Sequence, residues 1–284
     1  MITLKSYAKI NISLDLTGKR DDGYHLLRTV MQTVSLCDYI TLSHAKKEGI
    51  NMRCNKPYIP TDEKNIAYKT ALRFFEYTGI APKVNIGLKK YIPCGAGLGG
   101  GSSNGAVVFD GLCQLFGVDI PTEKKVELTC DIGADIPFFF YGGTALCEGI
   151  GEIITPLSPL PDCRIVIAKP PVSLSTAAIF GSPKTKEAFG GCSTDEVLRG
   201  IEQGDIKAVV STAQNALEGA SIDQCKQIEI IKSQFMQNGA DFSMMSGSGS
   251  SVFGIFTDYK KAKDAYYALS EDLKEVYITK PTQY

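Results

Sequence analysis

Histidine is scarce in this chain of 284 residues, and several other features are missing altogether. Only His25 and His44 are present, so a histidine-rich metal site or a Ser-His-Asp triad has little material. There is no run of about 18 apolar residues that would span a membrane. Residues 1–11 lack the cationic and apolar regions of a signal peptide. We therefore expect a cytoplasmic protein that does not associate with a membrane.

Excess charge and paired cysteines are also lacking. The formal net charge is −1, which gives no indication of a nucleic-acid partner. The nine cysteines are odd in number and include no C-x-x-C pair. This pattern is typical of reduced thiols in the cytoplasm and argues against a disulfide scaffold or a zinc site.

The composition is that of a globular protein, with 44% apolar and 21% charged residues. The length allows one large domain or two ordinary ones. Glycine and proline cluster between residues 148 and 162, which predicts a boundary near Thr155. We expect one domain over residues 1–155 and a second over residues 156–284.

Strands are predicted in the first 155 residues by alternation and by β-branched residues. Residues 7–18 alternate strictly, so Lys9 and Asn11 should share the polar face of a half-buried strand. The other predicted strands cover residues 27–42, 83–93 and 138–149.

Helices are predicted between these strands by apolar residues at helical spacing. One begins after an N-cap at Thr61 and ends at Gly79. An apolar helix covers residues 104–116, and another opens at Pro121 and ends before Gly133.

The second half predicts a strand at 164–170, a short helix from Ser175, and helices over 194–203 and 221–239. Strand, turn and strand follow over 241–258, then a helix and a last strand over 274–280. This order predicts an α+β arrangement.

The most unusual stretch is PCGAGLGGGSSNGA, residues 93–106, in which five of the seven residues from Gly95 to Gly101 are glycine. It matches G-x-G-x-x-G literally, but the βαβ context of a dinucleotide site is missing. A Walker loop fails because no Gly-Lys-Ser/Thr follows, and a linker would join domains rather than a strand and a helix. The remaining reading is a phosphate cradle, in which close backbone N–H groups and a helix N-terminus bind an anion.

With this loop, the chain resembles the GHMP kinases, whose phosphate loop is similar to residues 93–103. Residues 246–254, SGSGSSVFG, resemble the family's second glycine-rich turn. Three further stretches, at residues 8–29, 97–106 and 131–152, resemble the branch that phosphorylates a cytidine diphosphate derivative in non-mevalonate isoprenoid synthesis. The resemblance implies a two-domain α+β fold, with a ribosomal-protein-S5-like N-terminal domain and a ferredoxin-like C-terminal domain.

The resemblance also implies roles for individual residues. Lys9 and Asp135 match the catalytic pair, in which the aspartate acts as base and the lysine balances the charge of the transferring phosphoryl group. Mg²⁺ would be bound by Ser102 or Ser103, and no carboxylate ligand can be assigned. The acceptor would be bound by Asn11, Tyr24, His25 and Phe180, and ATP by Asn65, Lys90, Pro93, Cys94, Gly95, Ala96, Gly97, Leu98, Gly99, Gly100, Gly101, Ser102 and Ser103.

Two alternatives stay open. The chain could be another small-molecule kinase of the family, of the mevalonate or homoserine type, or an inactive nucleotide-binding protein on the same fold. The Tyr24-His25 pair favours a nucleobase over a small polyol, because it offers a ring and a polar nitrogen. Lys9 and Asp135 together argue against an inactive protein. We expect a monomer or a weak homodimer.

Overall fold

The computed structural model describes residues 1–190 and 193–283, and these residues form two units. The first unit contains Met1–Ala8, Leu36–Ile92 and Gly99–Tyr141. The second contains Lys9–Ser35, Pro93–Leu98 and the described residues of 142–284. These units are defined by contacts within the structure. The domain boundary near Thr155 stays a prediction.

Two long strands contribute residues to both units, β1 (Ile2–Lys19) and β2 (His25–His44). The other elements of the first unit are β3 (Gly49–Cys54), α1 (Ile66–Thr78), β4 (Lys83–Lys89), α2 (Gly100–Phe116), α3 (Thr122–Thr129) and α4 (Ile136–Tyr141).

The core of the first unit lies between a sheet and helices α1 and α2. The end of β2 pairs antiparallel with β4, with Tyr39 opposite Lys89, and β3 pairs parallel with β4. Alternate residues point inward, since period-2 patterning places them on one face. The buried set includes Ile40, Leu42, Val84, Ile86 and Leu88 from the strands, with Phe74, Phe75, Phe109 and Leu112 from the helices.

In the second unit, residues 27–32 of β2 pair antiparallel with β5 (Thr144–Gly149), and β5 pairs antiparallel with β6 (Ile153–Pro156). Its remaining elements are β7 (Arg164–Lys169), α5 (Thr176–Phe180), α6 (Pro183–Glu187), α7 (Ser193–Glu202), α8 (Ile206–Thr212), α9 (Glu218–Gln224), α10 (Gln227–Gln237), β8 (Phe242–Met245), β9 (Val252–Phe256), α11 (Tyr259–Ser270) and β10 (Glu275–Thr279).

Strands β7 to β10 form an antiparallel sheet in the order β10-β7-β9-β8. Helices precede β8, and α11 lies between β9 and β10, so the unit contains the β-α-β-β-α-β succession of a ferredoxin-like fold. Apolar residues of α10 and α11, among them Phe235 and Ala265, are part of the same buried core as Val166 and Phe256. The α+β prediction and the ferredoxin-like expectation are confirmed.

Four sequence predictions differ from the structure in detail. Asn65, not Thr61, caps α1, because its side chain accepts from the Ala67 N–H at 2.9 Å. Residues 138–141 lie in α4 rather than in a strand, since a short apolar run suits either buried element. The single helix predicted over 221–239 is two helices that separate at Cys225. Helix α2 begins at Gly100 rather than at residue 104.

The sequence predicted reduced cysteines, and the described cysteines agree with that prediction. The eight cysteines that the structure describes are all free thiols, and Cys192 lies outside the described residues. Desolvation by burial raises the pKa of Cys163 to about 12 and that of Cys113 to about 11. Both thiols are therefore protonated and unreactive at neutral pH.

Gly200 allows α7 and α8 to approach at backbone distance. A β-carbon there would lie 2.6 Å from the Val209 nitrogen and 3.0 Å from the Ala208 carbonyl carbon. We expect Gly200→Ala to lower the free energy of unfolding by about 1–3 kcal/mol, because backbone atoms would have to move.

The matched control is Gly219→Ala in α9, where a β-carbon would meet no atom within 4 Å. This variant should be more stable by up to about 1 kcal/mol, because alanine favours helix. Urea unfolding of both variants measures the difference. Equal stability of the two would contradict the packing account.

Candidate active site

The first part of the glycine-rich loop is held tightly within the second unit. Gly97 has φ +73°, and a β-carbon on it would overlap the carbonyl oxygen of Ser246. The Ser246 hydroxyl donates to the Gly97 carbonyl at 2.9 Å, and the Ser251 N–H donates to the Ala96 carbonyl at 3.2 Å. Residues 93–98 therefore pack backbone to backbone against the turn at 246–251, which makes them unlike a flexible linker.

Lys9 and Asn11 lie beside this loop. The Lys9 N–H donates to the Leu98 carbonyl at 3.0 Å, and its ammonium donates to Asn11 Oδ1 at 2.6 Å. Asn11 in turn donates to Thr29 Oγ1 at 2.8 Å. A β-carbon on Gly247 would lie 3.3 Å from both the Lys9 ammonium and Asn11 Oδ1. The structure thus brings Lys9, Asn11 and both glycine-rich turns together.

The polar face of β1 is buried rather than half-exposed. Lys9 is 3% exposed and Asn11 is 1% exposed, and Ser13 and Asp15 are buried as well. The sequence prediction of a half-buried strand was wrong on this point, because both faces of β1 are covered. A buried ammonium is screened less by water, so its field on a nearby anion is stronger than at the surface.

The second part of the loop begins α2 in the first unit. Gly99 is the N-cap with φ +65°, and the first turn of α2 contains no acidic residue. Helix geometry leaves the first backbone N–H groups without intrahelical acceptors, which favours an anion there. Because α2 starts at Gly100, Ser102 and Ser103 lie inside this first turn rather than before it.

The two serines differ in their surroundings. The Ser103 hydroxyl is buried and lies 2.7 Å from the Ser6 hydroxyl. Ser102 is partly exposed, and a β-carbon on Gly133 would lie 3.4 Å from its Oγ. The turn between α3 and α4 therefore lies against Ser102.

Asp135 belongs to that same turn. It directly precedes α4 and is partly exposed. From the sequence, Asp135 was predicted to lie between a helix and a strand, whereas the structure places it between the helices α3 and α4. Within the first unit, Ser102 and the turn that carries Asp135 are neighbours.

Asn65 and Lys90 are both engaged within the first unit. Asn65 caps α1 and its amide also donates to the Pro60 carbonyl at 2.7 Å. Lys90 is buried and forms an ion pair with Asp38 at 2.5 Å. Direct contact of either side chain with a nucleotide stays a prediction.

An aromatic cluster surrounds His25 in the second unit. Its ring centroid lies 5.2 Å from that of Phe180 and 5.7 Å from that of Phe189, which is stacked at 22°. His25 Nε2 is buried and has no hydrogen-bond partner among the residues that the structure describes. Tyr24, next in the chain, is exposed. This arrangement suits a planar polar ring that offers a partner to Nε2.

Phe189 and Thr29 were missed by the sequence analysis. Thr29 lies in a predicted strand, but no sequence pattern indicates that its hydroxyl accepts a hydrogen bond from Asn11. Phe189 follows a short helix and bridges to Leu16 of β1, a long-range contact without a sequence signal.

The pKa of His25 lies below its ordinary value. Desolvation by burial is the main cause, and the positive charges of Lys19 and Lys186 act in the same direction. His25 is therefore neutral at pH 7, as a group that hydrogen-bonds to an uncharged ring should be.

None of the helices that the structure describes is long and apolar enough to cross a membrane.

Comparisons with known proteins give consistent results. The family model described as GHMP kinases N terminal domain matches residues 65–143, and the one described as GHMP kinases C terminal matches residues 197–275. A Clostridium botulinum protein (strain Eklund 17B / Type B) with the name 4-diphosphocytidyl-2-C-methyl-D-erythritol kinase is 41% identical over 279 residues, covering 98% of this chain and 99% of that protein. A protein of the same name from strain Kyoto / Type A2 is 44% identical over 276 residues, covering 97% and 98%.

Solved structures are also similar. A crystal structure of 4-(cytidine 5'-diphospho)-2C-methyl-D-erythritol kinase has a TM-score of 0.84 and 29% identity, covering 99% of this chain and 100% of that one. A homoserine kinase from Cytophaga hutchinsonii has a TM-score of 0.78 at 19% identity, covering 99% and 94%, and shows similarity of fold alone.

The lowered pKa of His25 predicts a pH dependence of stability. Below about pH 6.5 the unfolded chain binds a proton on His25 that the folded chain takes up only at lower pH, so stability falls as the pH falls. In His25→Gln this contribution is absent. Wild-type protein should therefore lose more unfolding free energy than the variant between pH 7 and 5, with an extra slope of at most about 1.4 kcal/mol per pH unit.

Denaturant unfolding at a series of pH values measures this difference. His44→Gln, which removes the other histidine and keeps His25, is measured in parallel as the control for the loss of one histidine. Parallel curves for wild type and His25→Gln would show that the His25 pKa is not lowered by folding.

Proposed function

The chain belongs to the GHMP kinase family and is a kinase, and on that premise we propose that it uses ATP to phosphorylate the 2-hydroxyl of 4-diphosphocytidyl-2-C-methyl-D-erythritol. The observation that carries the choice of acceptor is the 41–44% identity, over nearly the whole chain, to relatives of that name. The His25 cluster supports it, because a cytosine ring could stack on Phe180 or Phe189 and hydrogen-bond to Nε2.

We propose that the triphosphate binds along the loop at residues 93–103. Gly95, Gly97 and Gly99 have left-handed backbone conformations, which favour glycine. Because glycine has no side chain, phosphate oxygens can approach the backbone N–H groups closely. The N-terminus of α2 adds its positive end. Asn65 is proposed for the adenosine end of the nucleotide. The proposal does not use Lys90 there, because its ammonium is buried against Asp38.

Lys9 and Asp135 are proposed as the groups that act on the reacting atoms. Asp135 accepts the proton of the acceptor hydroxyl as the phosphoryl group transfers, and Asn11 orients the acceptor. Lys9 balances the charge that moves between the two oxygens, and its burial strengthens this effect. Phosphoryl transfer depends mainly on such positioning and charge neutralisation.

Mg²⁺ would be held mostly by phosphate oxygens and water. The described residues contain no cluster of three His, Cys, Asp or Glu side chains that could hold a metal. Magnesium commonly takes one or two protein ligands with substrate phosphates, and the hydroxyl of Ser102, a partly exposed residue, fits that role. The proposal does not use Ser103, because its hydroxyl is buried against Ser6. When bound, the metal neutralises phosphate charge.

We also propose that the protein acts in the cytoplasm, as a monomer or weak homodimer, without nucleic acid or a membrane. The eight described cysteines are free thiols, which suits a reducing compartment.

The test is a product assay. The purified protein, ATP and Mg²⁺ are incubated in parallel with 4-diphosphocytidyl-2-C-methyl-D-erythritol, mevalonate and homoserine, and the products are identified by NMR. We expect ADP and a 2-phosphate from the cytidine substrate alone. Turnover of mevalonate or homoserine instead would replace the proposed acceptor, and no turnover of any of them would favour the inactive alternative.

We predict that Asp135→Asn lowers turnover by about 10²–10⁴-fold, because an amide cannot accept the proton. ATP affinity, measured by calorimetry, should change little. Asp131→Asn is the matched control in the same turn, where Asp131 pairs with Arg73 at the surface. It should keep near wild-type turnover. Equal turnover of Asp135→Asn and wild type would remove Asp135 from the mechanism.

A further inference from the structure

Asp38, Lys90, Asn104 and Ser6 form a buried polar group in the first unit, called here the Asp38 cluster. Exposure is 0% for Asp38, 5% for Lys90 and 2% for Asn104. The proposed reaction gives Asp38 no role. Burying a carboxylate and an ammonium is costly, and apolar residues of similar volume often stabilise as well. The cluster therefore invites an explanation beyond stability.

The Asp38 carboxylate holds the strand side of the loop. Its Oδ1 accepts the backbone N–H groups of Tyr91 at 2.7 Å and Ile92 at 2.9 Å. Ile92 directly precedes Pro93, the first residue of the loop. Asn55 fixes Lys90, the residue before Tyr91, since its Oδ1 accepts the Lys90 N–H at 2.7 Å.

The same carboxylate holds the helix side of the loop. Its Oδ2 accepts the Asn104 amide at 2.9 Å and the Lys90 ammonium at 2.5 Å. The Asn104 amide also donates to the Ser6 hydroxyl at 2.8 Å, and that hydroxyl lies 2.7 Å from the hydroxyl of Ser103. Ser103 and Asn104 are thus fixed at the start of α2, and Ser6 of β1 connects them.

Lys90 lies directly under the first residue of α2. A β-carbon on Gly100 would be 3.0 Å from the Lys90 ammonium. The ammonium is occupied by Asp38 and by Asn104 Oδ1 at 3.3 Å. Its side chain is therefore directed into the protein and toward the helix start.

We propose that Asp38 is a positioning residue for nucleotide phosphate. By bonding Ile92 and Asn104 to one carboxylate, it fixes both chain ends of the glycine-rich loop relative to each other. Five glycines in seven residues carry a large conformational entropy, and fixed ends reduce the number of conformations that the loop can adopt before it binds. Lys90 acts through the same cluster. This inference rests on the proposed binding of ATP phosphates by the loop.

Asp38→Asn tests the proposal. An amide keeps one acceptor but turns its NH₂ toward the Lys90 and Asn104 donors, so the cluster cannot stay intact. We expect KM for ATP to rise at least about tenfold, since hydrogen bonds to a charged group are lost. The inhibition constant of inorganic tripolyphosphate, a probe without base or ribose, should rise by the same factor. KM for the acceptor should stay within about twofold, because its site is not altered.

Controls separate positioning from loss of stability and from base contact. Asp110→Asn makes the same chemical change in the Asp110–Lys125 ion pair, farther along α2, and should leave tripolyphosphate binding unchanged. In Lys90→Met we expect KM to rise by the same factor for ATP and for GTP, because the two nucleotides carry the same triphosphate and differ only in the base. The ratio of the two KM values should therefore equal that of the wild type. A changed ratio would show that Lys90 contacts the base and would overturn its positioning role.

Ser6→Ala provides a second variant should Asp38→Asn fail to fold. It removes the hydrogen bonds of Ser6 to Asn104 and to Ser103 without touching a charge. We expect a rise of about two- to fivefold in the tripolyphosphate constant, because the hydrogen bonds of Asp38 remain. Wild-type tripolyphosphate binding by a folded Asp38→Asn protein, or by Ser6→Ala, would overturn the inference. If tripolyphosphate does not compete with ATP even in the wild type, the proposed role of the loop itself fails.

Discussion

Direct backbone contact between two glycine-rich turns governs the second unit's part of the candidate site. At Gly97 no side chain can be accommodated, because the Ser246 carbonyl occupies the place of a β-carbon. The two turns are joined by hydrogen bonds from Ser246 and Ser251. The contact places the turn beside Lys9 and Asn11, and it offsets the entropy of the glycines with fixed packing. The phosphate binding proposed for residues 93–98 depends on this close approach.

Buried charge is the second constraint on the molecule. Lys9 in the second unit and the Asp38–Lys90 pair in the first are almost fully removed from water. Each is held by hydrogen bonds, so the cost of burial is offset within the protein. Lys9 is proposed to act on a ligand's charge, whereas Asp38 and Lys90 bond to the backbone of Tyr91 and Ile92 and to Asn104 of α2. The same physical situation thus serves two different purposes.

Much of the fold follows from local patterns. Alternation predicted β1 and β4, and a high content of Val, Thr and Ile predicted β2. The order of elements after residue 164 predicted an α+β arrangement. The errors occurred where local signals are ambiguous. Residues 138–141 are apolar enough for a buried strand or helix, and the N-cap of α1 depends on which polar side chain reaches an amide. Neither choice is decided by propensity alone.

From the sequence alone, a phosphate-binding role for the loop at residues 93–103 is favoured over a dinucleotide turn, a Walker loop or a linker, since its glycines lie between a strand and a helix. The sequence also placed Lys9 and Asn11 on one face of β1 by period-2 geometry. The burial of this face, the ring contact of Phe189 with His25 and the hydrogen bonds of Asp38 to both sides of the loop follow from the tertiary structure. These are contacts between distant parts of the chain, and burial and hydrogen bonding at such contacts are set by packing that no local pattern specifies.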